Sequence, residues 1–386
     1  MKKVRAILLI IMVFASLLLS GCWDYYEINN LAIVTGLAVD KLSDGTGYNT
    51  TVEVVDLRGG GKETKIQSKR IESKGSTIQE AVNNIVKVSA KRLYGSHLVI
   101  VIISQDVARQ GILPLIDSIL RGYQPRLSIH LLISKVKTAK ELLSQQSITT
   151  DIRSIEMEEM ISSENQTLSK APRVDVRDFI NDLSGVGISA TLPTVGIVLN
   201  ENEKTSELSG TAIFKRDKFV GLLNEEDTKY FLFVKNQVNG AYIPIYNKSR
   251  DSSKDATVQV ISNKTKVTPV YTNGKLKIII NVNTKIRITE LEVSENFMSE
   301  KGLDLIKKEI QETIKTNINN VINKVKDEFD SDIFGFGRTI KREMPSVWNN
   351  IASDWKDIFK NVPVNVNVKI DILGSGLAAK PIKIGD

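Results

Sequence analysis

One cysteine stands in this chain, Cys22, and no thiol follows it. No disulfide and no cysteine-bound metal can therefore brace the fold, and everything beyond position 22 has to stand on hydrophobic cores. The same cysteine closes a leader. Lys2, Lys3 and Arg5 make a basic start, Ile7 to Leu19 an apolar run, and small Ser20 and Gly21 precede the thiol. The run falls short of the roughly 20 apolar residues that a spanning helix needs. Residues 1–21 read as a bacterial lipoprotein signal, with cleavage before Cys22 and acylation of its sulfur; an ordinary secretory signal with an incidental cysteine is the alternative. Two acyl chains hold stably where one holds marginally, at about 0.8 kcal/mol per buried CH₂.

Removing the leader takes away three basic residues and no acid, so the formal charge drops from +7 to +4. Lys and Arg are interspersed with Asp and Glu instead of forming a concentrated stripe. That balance argues against nucleic acid as a partner and suits an anionic membrane surface. A 386-residue chain is too long for one core. The expected organisation is the signal, a tether over 22–30, an N-terminal α/β region over 31–200 and a C-terminal α+β domain over 201–386. The fold class is mixed α+β, with sheets flanked by helices.

In the first half, Leu31 to Val39 and Tyr48 to Leu57 read as strands of a hairpin across the Ser-Asp-Gly-Thr-Gly turn at 43–47. Thr77 to Arg92 has helical spacing, with Ser76 or Thr77 as cap. His97 to Ser104 reads as a strand buried on both faces. Helix over Asp106 to Leu120, strand over Leu127 to Ser134 and helix over Thr138 to Leu143 complete the alternation. Residues 150–170 are polar and read as loosely packed.

The second half begins with a hairpin, Leu208 to Phe214 returning through Phe219 to Leu223 around Asp217-Lys218, and a helix over Glu225 to Val234. Leu276, Ile278, Ile280 and Val282 alternate as in a half-buried strand. Leu303, Ile306, Ile310, Ile314, Ile318, Val321, Val325 and Phe329 fall on one stripe of a long amphipathic helix. Such a stripe serves either to cover a sheet, the commoner fate, or as a seam for a partner. Val347, Trp348, Ile351, Trp355, Ile358 and Phe359 mark a second amphipathic helix. Val362 to Ile372 alternates without a miss, with Pro363 pointing to a strand start or an edge.

Catalytic constellations are hard to find. Arg58-Gly-Gly-Gly-Lys62 lacks the Walker spacing, and Glu63 stands where the hydroxyl should be. His97 and His130 are the only histidines, in no metal-ligand spacing. No Gly-x-Ser-x-Gly elbow occurs, and the adjacent pair Glu158-Glu159 suits a solvated face. These observations favour a non-enzymatic protein without a cofactor. A lipid-anchored solute-binding protein of a transporter is the rival reading, although the second half shows no repeat of the first.

The ordered motifs resemble the Ger(x)C family, the C subunits of spore-germinant receptors. The resemblance rests on Gly21-Cys22-Trp23-Asp24, Gly36-Leu-Ala-Val-Asp40, His97-Leu-Val-Ile-Val, and Arg121 and Arg126 around Pro125. It continues through Gly210-Thr-Ala-Ile-Phe-Lys215, Asp332-Ile-Phe334-Gly335-Phe-Gly337, Trp348 and Trp355. Tyr123-Gln124, between the two arginines, departs from the acidic residue expected there. The resemblance implies a multi-domain mixed fold and a lipid anchor, palmitate included, at Cys22. It implies residence on the outer face of the inner spore membrane and integral-membrane A and B subunits as partners. For the remaining motif positions it implies structural or interface roles. Seven residues apart, Trp348 and Trp355 suit the core better than a ligand cage. Gly335 and Gly337 suit a turn after the long helix, and Arg121 and Arg126 suit intramolecular or solvated pairing better than lipid or partner contacts.

Overall fold

The computed structural model describes residues 3–7, 12, 27, 30–56, 67–122, 126–246, 254–291 and 300–374. Cys22, Trp23 and Asp24, the glycine loop at 59–61, residues 123–125 and the tail after 374 lie outside these residues. Two sheets organise the rest.

The first sheet opens with the expected hairpin. β1 (Leu31–Lys41) and β2 (Tyr48–Asp56) pair antiparallel, and β3 (Gln67–Gly75) adds to β2. The chain continues through α1 (Ile78–Asn84), α2 (Val86–Ser89), β4 (Arg92–Tyr94), β5 (Ile100–Ile103), α3 (Gln105–Gln110), α4 (Leu113–Arg121) and β6 (His130–Ser134). Then come α5 (Ala139–Leu143), α6 (Arg153–Thr167), α7 (Val176–Leu183), β7 (Thr191–Asn200), β8 (Glu203–Lys215) and β9 (Lys218–Leu223). The strand order is β3-β2-β1-β5-β6-β7-β8-β9, with β4 beside the start of β1. β1, β5, β6 and β7 run parallel, and every residue of β5 is buried, as its unbroken Ile-Val-Ile-Ile suggests. β8 and β9, which follow residue 200, stay in this sheet.

The second sheet follows α8 (Glu225–Val234). Its order is β10 (Ala241–Tyr246), β11 (Lys254–Thr272), β12 (Lys275–Leu291) and β13 (Val364–Ile372). Between β12 and β13 run α9 (Glu300–Lys324), a π-turn at Val325–Phe329, α10 (Phe336–Glu343), α11 (Pro345–Ile351) and α12 (Trp355–Asn361). The isoleucine stripe of α9 lies in the core, where Ile310, Ile314, Ile318, Val321 and Val325 are fully buried. Each such side chain is worth about 1.5–3 kcal/mol of burial. The stripe therefore covers a sheet. β13 joins β12 in parallel at the sheet edge, and the Pro363 carbonyl accepts from the Ile278 amide.

Four local expectations are overturned. The helix expected over Thr77 to Arg92 breaks at Ile85 and ends with Ala90 in the left-handed region, so that β4 can pair with β1; Thr77 does cap it, accepting from the Glu80 amide at 3.1 Å. The helix expected over 106–120 breaks at Gly111, whose φ of +131° no helix continues. The helix expected over Val347 to Phe359 is two helices joined by a 3₁₀ turn at Ala352–Asp354. On one straight helix Trp348 and Trp355 would be about 10.5 Å apart along the axis. The break brings their rings to 5.6 Å, edge to face. Residues 150–170, expected to be loose, contain the 15-residue α6 with Arg153, Glu156 and Glu164 all buried. Its polar residues point inward because partners wait for them.

Candidate functional site

Six of the motif positions meet in one place. The chain leaves the π-turn through Asp330 in the left-handed region, and Gly335, at φ +75°, turns it into α10. A helix start leaves its first amides without partners. Asp332 supplies them: Oδ1 accepts from the Gly335 amide at 2.9 Å and the Phe336 amide at 3.1 Å, and Oδ2 from the Gly337 amide at 2.8 Å. Burial pushes its pKa up to about 6, against the pull of those three amides and of Lys235.

This turn is stitched to the segment between α7 and β7. The Ser189 amide donates to the Asp332 carbonyl at 2.7 Å, and the Arg338 amide to the Gly187 carbonyl at 2.8 Å. The Arg338 guanidinium donates to Asp182 Oδ1 and to the Asn181 carbonyl, each at 2.7 Å. Lys235 Nζ stands 3.9 Å from the other Asp182 oxygen, and burial lowers its pKa. Gly337 packs so closely that a Cβ there would come within 2.6 Å of Trp355 Nε1 and 2.8 Å of Gly187 Cα.

An aromatic chain extends from the turn. Phe334 stacks on Phe336 at 5.2 Å and meets Phe231 edge to face at 5.9 Å. Phe336 touches Phe359 at 6.2 Å, Phe359 touches Trp355 at 6.1 Å, and Trp355 reaches Trp348. Trp348 and Trp355 are buried. Asp332, Phe334, Gly335, Gly337, Trp348 and Trp355 thus form one joint between the first sheet's periphery and the helices over the second. Asp332 and Arg338 are engaged within the protein, whereas Trp355 Nε1 is buried without a partner.

Arg121 and Arg126 lie elsewhere. Arg121, at the end of α4, pairs with Asp117 at 2.8 Å, both exposed, and Arg126 is exposed ahead of β6. Beside α4 an apolar cleft of about 230 Å³ opens between β1, β2 and the helices α1, α2 and α4. Its walls include Val34, Val52, Ile78 and Leu115, and its rim Arg92 and Ser118. The volume is below that of typical drug-sized ligand sites. His130 is buried, with Nδ1 3.4 Å from the Val174 carbonyl oxygen, and burial lowers its pKa; His97 lies against the Tyr94 ring. Among the described residues no cluster of His, Cys, Asp and Glu could hold a metal ion.

A second polar centre was missed in the sequence. The Glu53 carboxylate on β2 accepts from the amides of Arg153 at 3.0 Å and Ser154 at 2.8 Å and from the Ser68 hydroxyl at 2.7 Å, and pairs with Arg70 at 3.1 Å. Arg153 also pairs with Glu156, which accepts from the Ile148 and Thr149 amides. A glutamate flanked by Val52, Val54 and Val55 in a strand was the available signal.

A two-sheet α+β protein with a buried joint is the class that fold and site define. The chain belongs to the Ger(x)C family of spore germination proteins. Residues 24–197 match the spore germination protein N-terminal domain, and residues 209–376 match the C-terminal family described as spore germination B3/GerAC like. Spore germination protein B3 of Bacillus subtilis (strain 168) is 25% identical over 382 residues, covering 96% of this chain and 98% of its own. Spore germination protein KC of the same organism is 22% identical, covering 98% of both. The crystal structure of the GerBC protein superimposes with a TM-score of 0.57 at 20% identity, covering 91% of this chain and all of that one, a likeness of fold.

Proposed function

We propose that the chain is a lipid-anchored subunit of a nutrient germinant receptor. In this reading Cys22 carries the acyl anchor on the extracytoplasmic side of the inner spore membrane, and the folded part acts as a scaffold or coupling subunit for integral-membrane A and B subunits. The observation that carries it is the family match along nearly the whole chain, in order. Support comes from the leader that ends at Cys22. The joint at Asp332 supports coupling, because it fixes one half of the molecule to the other through buried contacts. Confinement to the bilayer plane raises the effective concentration of weakly interacting faces.

The test is Cys22→Ala, followed by fractionation of spore membranes and a nutrient germination assay. The expected result is loss of the protein from the membrane fraction and a weakened response. Unchanged retention together with an unchanged response would overturn the anchored reading.

A further inference from the structure

We propose that the edge of the first sheet where β1 begins is the face that rests on an anionic lipid surface, with the turn of α2 as its wedge. This rests on the lipid-anchored reading and adds an orientation to it.

Three observations converge on that edge. The tether enters there: Leu31 pairs with Arg92, which places the α2–β4 turn beside the point where the chain joins the fold. Eight residues lie between Cys22 and Leu31, nine steps with a reach of about 30 Å when fully extended, so this edge is held nearest the anchor. The edge is also apolar where it is most exposed. Val88 is 67% exposed, and Val86, which lines the cleft, is 46% exposed. Scattered exposed aliphatics need no explanation, but a cluster ringed by charge marks an interaction face.

The charge has the sign that a lipid surface requires. Lys87 and Lys91 flank Val88 and are exposed, and Arg126 is exposed beyond α4. Arg121 is balanced by Asp117, and the nearby Glu80 is engaged by the Ser76 amide and hydroxyl. Aliphatic tips that enter the headgroup layer by about 5–10 Å, with lysines at the phosphate level, are the arrangement of interfacial segments. Each such lysine strengthens attachment to an anionic surface about fivefold.

The test uses the full acylated chain on vesicles of phosphatidylglycerol and phosphatidylethanolamine. Acylated Cys22 leaves no free thiol, so Val88→Cys offers one site for a fluorophore whose depth is read by quenching from brominated lipid. Leu199→Cys is the control: it is 72% exposed at the β7–β8 hairpin, and because β7 runs parallel to β6, it lies at the opposite end of the strands. Quenching at position 88 should exceed that at 199 by about threefold or more. Lys87→Glu with Lys91→Glu should reduce it while the acyl chains keep the protein on the vesicles. A retained protein quenched equally at both positions, or at neither, would overturn the orientation and leave the face to a protein partner. Failure of the acylated chain to stay on vesicles would instead overturn the anchored reading beneath it. Circular dichroism of each variant, expected to be unchanged at these exposed positions, checks the fold.

Discussion

The Asp332 turn and the α6 segment both bury carboxylates, yet they solve the cost of doing so differently. Asp332 meets three amides with its two oxygens, at a helix start whose amides need an acceptor. Glu164, in α6, accepts from the Lys170 and Ala171 amides through Oε1 alone, and its Oε2 is buried without a partner. The cost of burial remains in both pKa values. Burial raises both, Asp332 to about 6 and Glu164 to about 7. The difference lies in geometry: the saturated carboxylate pins its turn, whereas the half-saturated one leaves an oxygen buried without a partner.

The sharpest break of that comparison is Asp332→Ala. It strands three buried amides of one helix start, while the Ser189 amide keeps its backbone acceptor at position 332, and it should cost about 4 kcal/mol at pH 7, read by chemical denaturation. A loss below about 1 kcal/mol would show that water satisfies the amides and that the turn is no pin.

Glu164→Gln tests the other carboxylate, and the sign depends on pH. Its folded pKa of about 7 lies above the ordinary 4.5. The stabilisation linked to the proton is complete below pH 4.5 and is lost as pH rises through 7. The amide cannot ionise, so the variant should match the parent near pH 4.5 and exceed it by roughly 3 kcal/mol at pH 8. Asp332 loses stability in the same sense between its ordinary 3.8 and about 6. Melting curves of parent and variant from pH 4 to 8 make the measurement, and parallel curves would contradict the assignment of the proton to Glu164.

The comparison also shows what the sequence could reveal. The Asp332 turn was legible because its signals are local: glycines at 335 and 337, a long apolar stripe before and aromatics after. The alternation of Val364 to Ile372 and the isoleucine stripe of α9 were equally open, since a period states which face is buried. The α6 segment was not: its carboxylates are met by neighbours, Glu156 by the Ile148 and Thr149 amides and Glu164 by the Lys170 and Ala171 amides, but the start of the helix is held by Glu53, about 100 positions away. Helix breaks were hidden by apolar spacing that runs on through Gly111 and Ala352–Asp354, although Gly111 and Pro114 are helix breakers that stand in the sequence itself.

Next in size is Gly337→Ala. The added methyl would sit 2.6 Å from Trp355 Nε1 and 2.8 Å from Gly187 Cα, and because a backbone atom is among the obstacles it should cost about 2 kcal/mol. The equivalent change in the α6 region is Gly36→Ala, which meets Ser154 Cβ at 2.8 Å and Leu143 Cδ1 at 2.9 Å, side chains only. It should cost less, and a larger loss at Gly36 than at Gly337 would reverse the ranking of the two regions as rigid and adaptable.

The smallest effect separates packing from polarity at the joint. Trp355 Nε1 is buried and has no hydrogen-bond partner, so Trp355→Phe removes an unpaired donor as well as ring area, and the two contributions oppose each other. The single change should alter stability by no more than about 1 kcal/mol. It also vacates the position nearest the Gly337 methyl. In the Gly337→Ala background Trp355→Phe should therefore restore about 1 kcal/mol, a coupling that a double-mutant cycle reads directly. Strict additivity would place the strain of Gly337→Ala on Gly187 instead, and would make the backbone approach, not the indole, the contact that requires glycine at 337.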